Sequence, residues 1–181
     1  MGRALFLLIF ILLLYLIISQ ASFFLKYVYP FHYREAITAA AENNKLDPLL
    51  VAAMIWVESG FDEKAESDKG AIGLMQIMPE TGLWAAEQMG FSDFTAEKLF
   101  DPYISITIGS WYLGQLLDQF NRNTYAALAA YNGGRGHVSS WLENGTWDGS
   151  RENLADIPFP ETFHYIKRIE RVYQRYSNIY K

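Results

Sequence analysis

Asp47-Pro48-Leu49-Leu50-Val51-Ala52-Ala53-Met54-Ile55-Trp56-Val57-Glu58-Ser59-Gly60 is the stretch that decides the fold. Asp47 before Pro48 is a helix start, an N-cap residue followed by proline at the first helical position. From Leu49 to Val57 no side chain is polar. A helix that is apolar on every face must be buried. Gly60 suits a C-terminal cap. The stretch therefore predicts one central buried helix with a single ionisable group, Glu58, at its C-terminal end.

The same punctuation recurs outward from it. A helix is expected over Arg34 to Asn44. Pro79 opens another that ends near Gly90, and Asp101-Pro102 opens one that runs to about Phe120. Thr124 to Tyr131 is a second apolar helix, stopped by Gly133-Gly134, and Val138 to Leu142 is a short one. Pro160 opens the last helix, where Phe163, Ile166, Ile169, Tyr173 and Tyr176 form an apolar stripe at helical spacing. Phe61 to Ile72 reads as a polar loop. Strand-like alternation is scarce, and there is no internal repeat. Asn144-Gly145-Thr146 matches a glycosylation sequon but is more simply a turn. The expected domain is mainly α, packed around residues 49–57.

Composition narrows the function. With 181 residues, 51% apolar and 19% charged, the chain is not disordered. Its net charge of −5 argues against a nucleic-acid partner, because phosphate binding needs a basic surface. There is no cysteine, so thiol chemistry and disulfides are out. The three histidines, His32, His137 and His164, have no metal-ligand spacing, so no metal is expected. Aromatics reach 16%. A thick core would use them, and so would a groove in which sugar rings stack.

The N-terminus is of another kind. Ala4 to Ile18 is an unbroken apolar run behind Arg3, and the next charge is Lys26. A helix over these 22 residues would reach about 33 Å, enough for a bilayer core of about 30 Å. Residues 1–26 are expected to form a transmembrane anchor, 27–33 a linker and 34–181 the catalytic domain. Positive charge ahead of the span favours a cytoplasmic N-terminus and an extracytoplasmic domain. The competing reading is a cleaved signal peptide, since Ser19-Gln20-Ala21 resembles a cleavage site; the domain would then be secreted.

Glu58 stands out for its chemistry. Burial disfavours its charged form, and so does the negative end of the helix it terminates. Both effects raise its pKa. A carboxyl that keeps its proton near neutrality can protonate the leaving oxygen of a glycosidic bond. Asp62, Glu63 and Asp68 are close in sequence, but they lie in the polar loop.

Glu58-Ser59, then Gly73-Leu74-Met75-Gln76, then Ala130-Tyr131-Asn132-Gly133-Gly134, with Glu161-Thr162 and Tyr165-Ile166 beyond, resembles the soluble lytic transglycosylase family. The resemblance spans roughly Tyr33 to Tyr176. It implies a lysozyme-like fold and cleavage of peptidoglycan between N-acetylmuramic acid and N-acetylglucosamine, leaving 1,6-anhydro ends. It implies Glu58 as the one catalytic acid and base, and no cofactor. Ser67 would contact the N-acetyl region, Gln76 and Met78 would line the groove, and Tyr131 would sit beside the carboxylate. Asn132 would bind sugar, and Glu161 would lie near the groove. Each has a plainer reading: Met78 as core, Ser67 as a turn residue, Asn132 as a helix stop, Glu161 as a first-turn glutamate. Expected partners are peptidoglycan strands and the membrane, with room for cell-wall synthesis or turnover proteins. A muramidase on the same fold and a non-catalytic wall-binding protein are the alternatives.

Overall fold

The computed structural model describes the chain from Gly2 to Lys181 and, within its first helix, the side chains of residues 6–12, 15 and 23 onward. Helix α1 covers Gly2–Val28 and α2 Arg34–Asn43; α3 is Pro48–Glu58, α4 Pro79–Gln88 and α5 Pro102–Gln119. After these come α6 (Thr124–Gly133), α7 (Arg135–Glu143) and α8 (Pro160–Tyr180). Two 3₁₀ turns, Ala96–Phe100 and Leu154–Asp156, were not expected from the sequence.

Helix α3 is the centre. Val51, Ala52, Ala53, Met54 and Ile55 are wholly buried. Each larger apolar side chain so buried is worth about 1.5–3 kcal/mol. Asp47 caps the helix, accepting from the Leu49 amide at 2.8 Å with one oxygen and from the Tyr173 hydroxyl at 2.6 Å with the other. Asp101 and Asn123 cap α5 and α6 in the same way. Such caps contribute about 0.5–2 kcal/mol each.

Helix α8 runs antiparallel along α3. Tyr173 meets Asp47 at one end and Tyr165 meets Glu58 at the other. The buried face of α8 is Thr162, Tyr165, Ile166, Ile169, Val172 and Tyr176. The expected stripe is thus rotated slightly. Phe163 and Tyr173 lie at its margins, half-buried, and Tyr165 stands inside it.

Gly134, at φ 91°, separates α6 from α7, so the short helix begins at Arg135 and not near Val138. Met78 is not core. It is the N-cap residue of α4 and is 42% exposed. Trp147, Leu154 and Ile157 join the core from loops that carry no helical period to announce them.

The expected linker also differs. Helix α1 continues through Val28, and residues 29–33 are packed against the domain. The expected anchor, 1–26, falls largely on residues whose side chains lie outside the described set. Among the described residues, no helix is long and apolar enough to cross a membrane.

Candidate active site

Glu58 ends α3, and the chain then turns through 59–78 before α4. Ser59 stitches this turn. Its hydroxyl reaches the Leu74 carbonyl at 2.8 Å and the Ile55 carbonyl at 3.1 Å, and accepts from the Phe61 amide. The segment beyond the turn is thereby held under the helix end. Antiparallel bridges Glu66↔Ile72 and Ile72↔Ile77 fold the loop on itself. Gly73 is required there. It sits at φ 75°, and a Cβ on it would come 2.0 Å from the Leu99 carbonyl oxygen.

Residues 67–76 form one wall. The Ser67 hydroxyl accepts from the Ala71 amide at 2.9 Å, and the Ser67 amide donates to the Ala71 carbonyl at 3.0 Å. Gln76 adopts a left-handed backbone, φ 46°, and its side-chain amide donates to the Ala65 and Gly73 carbonyls. Both residues shape the wall as well as line it. The opposite wall comes from α6 and the start of α8. There the Thr162 hydroxyl donates to the Asn132 side chain at 2.8 Å, and Gly133 lets the helices approach, since a Cβ would lie 2.9 Å from Thr162 Oγ1.

The seven residues singled out from the sequence, Glu58, Ser67, Gln76, Met78, Tyr131, Asn132 and Glu161, line one groove of about 320 Å³. Asp68, Lys69 and Ala71 complete it. Asp62 and Glu63 do not line it. Asp62 accepts from the Lys64 amide, and Glu63 accepts from the Tyr33 hydroxyl.

Glu58 is the shielded acid of this groove. Burial pushes its pKa up from the ordinary 4.5 to about 7. Two weaker influences oppose that: a hydrogen bond from Tyr165 and the charge of Arg168. The Tyr165 hydroxyl donates to Glu58 Oε1 at 2.6 Å. Arg168 spends a guanidinium N–H on the Val57 carbonyl at 3.3 Å and forms no ion pair with Glu58 among the described residues. Asp68 and Glu161 are exposed rim carboxylates. Glu161 pairs with Lys69 across the groove mouth at 3.0 Å, with both side chains about 70% exposed.

The sequence nominated Tyr131 as the tyrosine beside the carboxylate. Tyr131 is close, and burial followed by the Glu58 charge raises its pKa well above the usual range. Its hydroxyl, however, donates to the Met75 carbonyl at 2.9 Å. The direct partner of Glu58 is Tyr165, whose pKa burial and Glu58 likewise hold well above normal. Both phenols therefore remain neutral donors. Tyr165 was visible as a motif residue, but its partner lies 107 positions away.

The site can do one piece of chemistry well. A single carboxyl poised near neutrality can give a proton and take one back.

Comparison with known proteins places these features in a family. Residues 35–154 match the family model described as the transglycosylase SLT domain. The soluble lytic murein transglycosylase of Salmonella typhimurium is 34% identical over 78% of this chain and 22% of its own length. The membrane-bound lytic murein transglycosylase F of Desulfosudis oleivorans is 38% identical over 78% of this chain and 35% of its own. The crystal structure of an inactive variant of the lytic transglycosylase Slt from Pseudomonas aeruginosa superposes with a TM-score of 0.76 at 32% identity. That likeness covers 89% of this chain and 26% of the other. The chain thus spans only about a fifth to a third of the larger proteins it resembles.

Proposed function

The chain belongs to the transglycosylase SLT domain family, and from that premise we propose that it is a peptidoglycan lytic transglycosylase with Glu58 as its catalytic acid and base. The observation that carries the reading is the placement of Glu58, held by the Tyr165 hydroxyl in a groove whose other carboxyls are exposed, where burial pushes its pKa up to about 7. A hydrolase of the two-carboxylate kind wants a matched pair flanking the bond. Here one carboxyl is desolvated, while the other two lie at the rim.

In the proposed reaction, protonated Glu58 gives its proton to the oxygen joining N-acetylmuramic acid to N-acetylglucosamine. The bond from that oxygen to the muramoyl anomeric carbon breaks, and the sugar's own acetamido carbonyl stabilises the developing positive charge. Glu58, now a carboxylate, takes the proton of the muramoyl 6-hydroxyl. The 6-oxygen closes on the anomeric carbon and leaves a 1,6-anhydro end. Glu58 returns to its starting form, and no water is consumed. Both reacting groups belong to one sugar, so the closure has the entropic advantage of an intramolecular step. The Tyr165 hydrogen bond supports the carboxylate form during the half of the cycle that needs it.

Ser67, Gln76, Met78, Asn132 and Glu161 are the proposed substrate contacts, with Tyr131 beside the carboxylate. We also propose that α1 anchors the protein in a membrane, with the catalytic domain on the extracytoplasmic side. Its described apolar side chains, Phe6 to Leu12, are each about half exposed or more. Cell-wall synthesis or turnover proteins are the partners such a position would offer.

Digestion of purified peptidoglycan, followed by mass spectrometry, tests the reading. The expected products carry anhydromuramoyl ends and disappear with Glu58→Gln. Reducing ends from the native chain would assign it as a muramidase instead. Undigested glycan that binds equally well to both forms would make it a wall-binding protein.

A further inference from the structure

Between α1 and α2 the main chain crosses residues 29–33, and it is fastened at every step from Val28 onward. The Val28 carbonyl accepts from the Trp56 indole at 2.9 Å. The Tyr29 carbonyl accepts from the Tyr180 hydroxyl at 2.7 Å, and the Pro30 carbonyl accepts from the Tyr176 hydroxyl. Phe31 meets the rings of Tyr176 and Tyr180 edge-on, at 6.1 and 5.4 Å, and the Arg34 guanidinium lies over the Phe31 ring. His32 packs edge-on to Phe61 at 5.5 Å. Tyr33 takes the left-handed conformation, φ 53°, and donates its hydroxyl to Glu63.

A flexible tether is built from glycine, serine and other small polar residues. Residues 28–33 hold none of these, and Pro30 removes further freedom. Three main-chain carbonyls satisfied by two tyrosines and a tryptophan describe a joint that is meant to stay put. Part of the aromatic excess of the sequence is used here, where the segment packs against the core. Of the ten residues lining the groove, only Tyr131 is aromatic.

The joint is also coupled to the site. Trp56 and Glu58 are two positions apart on α3, so they point to nearly opposite faces at about 100° per residue. One face of the helix receives the end of α1; the other presents the acid. At the exit of α1, Lys26 and Tyr27 are exposed, Tyr27 at 78%. Lysine and tyrosine are residues that settle at a membrane's headgroup level.

We infer that residues 28–33, with Trp56, Tyr176 and Tyr180, form a rigid neck that sets the height and tilt of the Glu58 groove over the bilayer. The substrate is then glycan running at one distance from the membrane, not every strand that a swinging domain could reach. The inference rests on the membrane-anchor reading proposed above.

The absence of cysteine permits clean double labelling of the full chain, at Phe24→Cys on α1 and Glu143→Cys at the end of α7. Pulsed dipolar spectroscopy in phosphatidylethanolamine–phosphatidylglycerol vesicles should give one narrow distance distribution. Inserting eight Gly-Ser residues between Val28 and Tyr29 should broaden it severalfold, while cleavage of soluble glycan, which reports a folded domain, stays within about twofold. With glycan held on the same vesicles by lipid spacers of graded length, the native chain should show an optimum spacer, falling about tenfold on either side. The inserted chain should show none. A native distribution as broad as that of the inserted chain, or a native rate indifferent to spacer length, overturns the inference alone. Failure of the native chain to float with vesicles overturns the anchor reading and the inference together.

Discussion

Two helix ends face the same groove and treat their glutamates differently. At the C-terminus of α3, Glu58 is half-buried in the groove, with the Tyr165 phenol as partner, and burial pushes its pKa up to about 7. At the N-terminus of α8, Glu161 stands in solvent, bridged to Lys69 on the facing rim. The side chains are chemically identical, yet the first is drawn in from solvent and the second stands exposed. Burial, and not the identity of the residue or its nearness to the substrate, separates the two.

The largest break in this symmetry should appear in the rate. Removing a general acid costs roughly 10²–10⁴-fold. Glu58→Gln should therefore lower kcat on peptidoglycan by about 10³-fold or more. Glu161→Gln should cost tenfold or less and act mainly through KM, as loss of a rim contact would. Equal losses would erase the distinction.

Stability should separate them next, with a definite sign. The folded-state pKa of Glu58 is raised, so the unfolded chain gives up this proton more readily than the folded one. Folding stability should fall as pH rises from about 4.5 to about 7, then level off. The shift from 4.5 to about 7 corresponds to about 3–4 kcal/mol, at about 1.4 kcal/mol per pH unit. Glu58→Gln should remove that cost and stabilise the protein at pH 8, with little gain at pH 4. Chemical denaturation at the two pH values reads this directly. Glu161→Gln should shift stability by no more than about 1 kcal/mol at either.

Tyr165→Phe is a finer probe. The hydrogen bond it removes lowers the Glu58 pKa, so the alkaline limb of the rate profile should move to higher pH. The carboxylate stage loses a charge-assisted partner worth about 1.5–3 kcal/mol, which predicts a fall in kcat of about ten- to a hundredfold. An alkaline limb that moves to lower pH would contradict the assignment. The smallest effect should come from Lys69→Ala. It severs an exposed ion pair, for which about 0–1 kcal/mol is the ordinary range in a denaturant titration.

The difference between the two glutamates was partly legible in the chain. Asp47-Pro48 and the nine apolar residues after Pro48 announce a buried helix, and Glu58 follows at its end. Pro79, Pro102 and Pro160 mark three other helix starts correctly, because proline at the first helical position loses nothing by lacking an N–H. Local signals of this kind survive folding unchanged. What the chain did not announce was non-local. Which tyrosine reaches Glu58 depends on how α8 is rotated against α3, and the stripe alone left that rotation uncertain by about one residue. Trp56 looked like one more apolar residue of α3, and its indole partner lies on a segment whose composition suggested only a connector. Trp147 joins the core from a turn, its indole held by the Ser150 carbonyl, with no periodic pattern around it.

The most direct test is a titration of the Glu58 carboxyl itself. Infrared difference spectra between the native chain and Glu58→Gln, or carbon NMR of side-chain-labelled glutamate, would follow its protonation from pH 3 to 9. An inflection near 7 is the expected result. An inflection near 4.5, where an ordinary glutamate titrates, would mean that the end of α3 does not hold a proton at neutral pH.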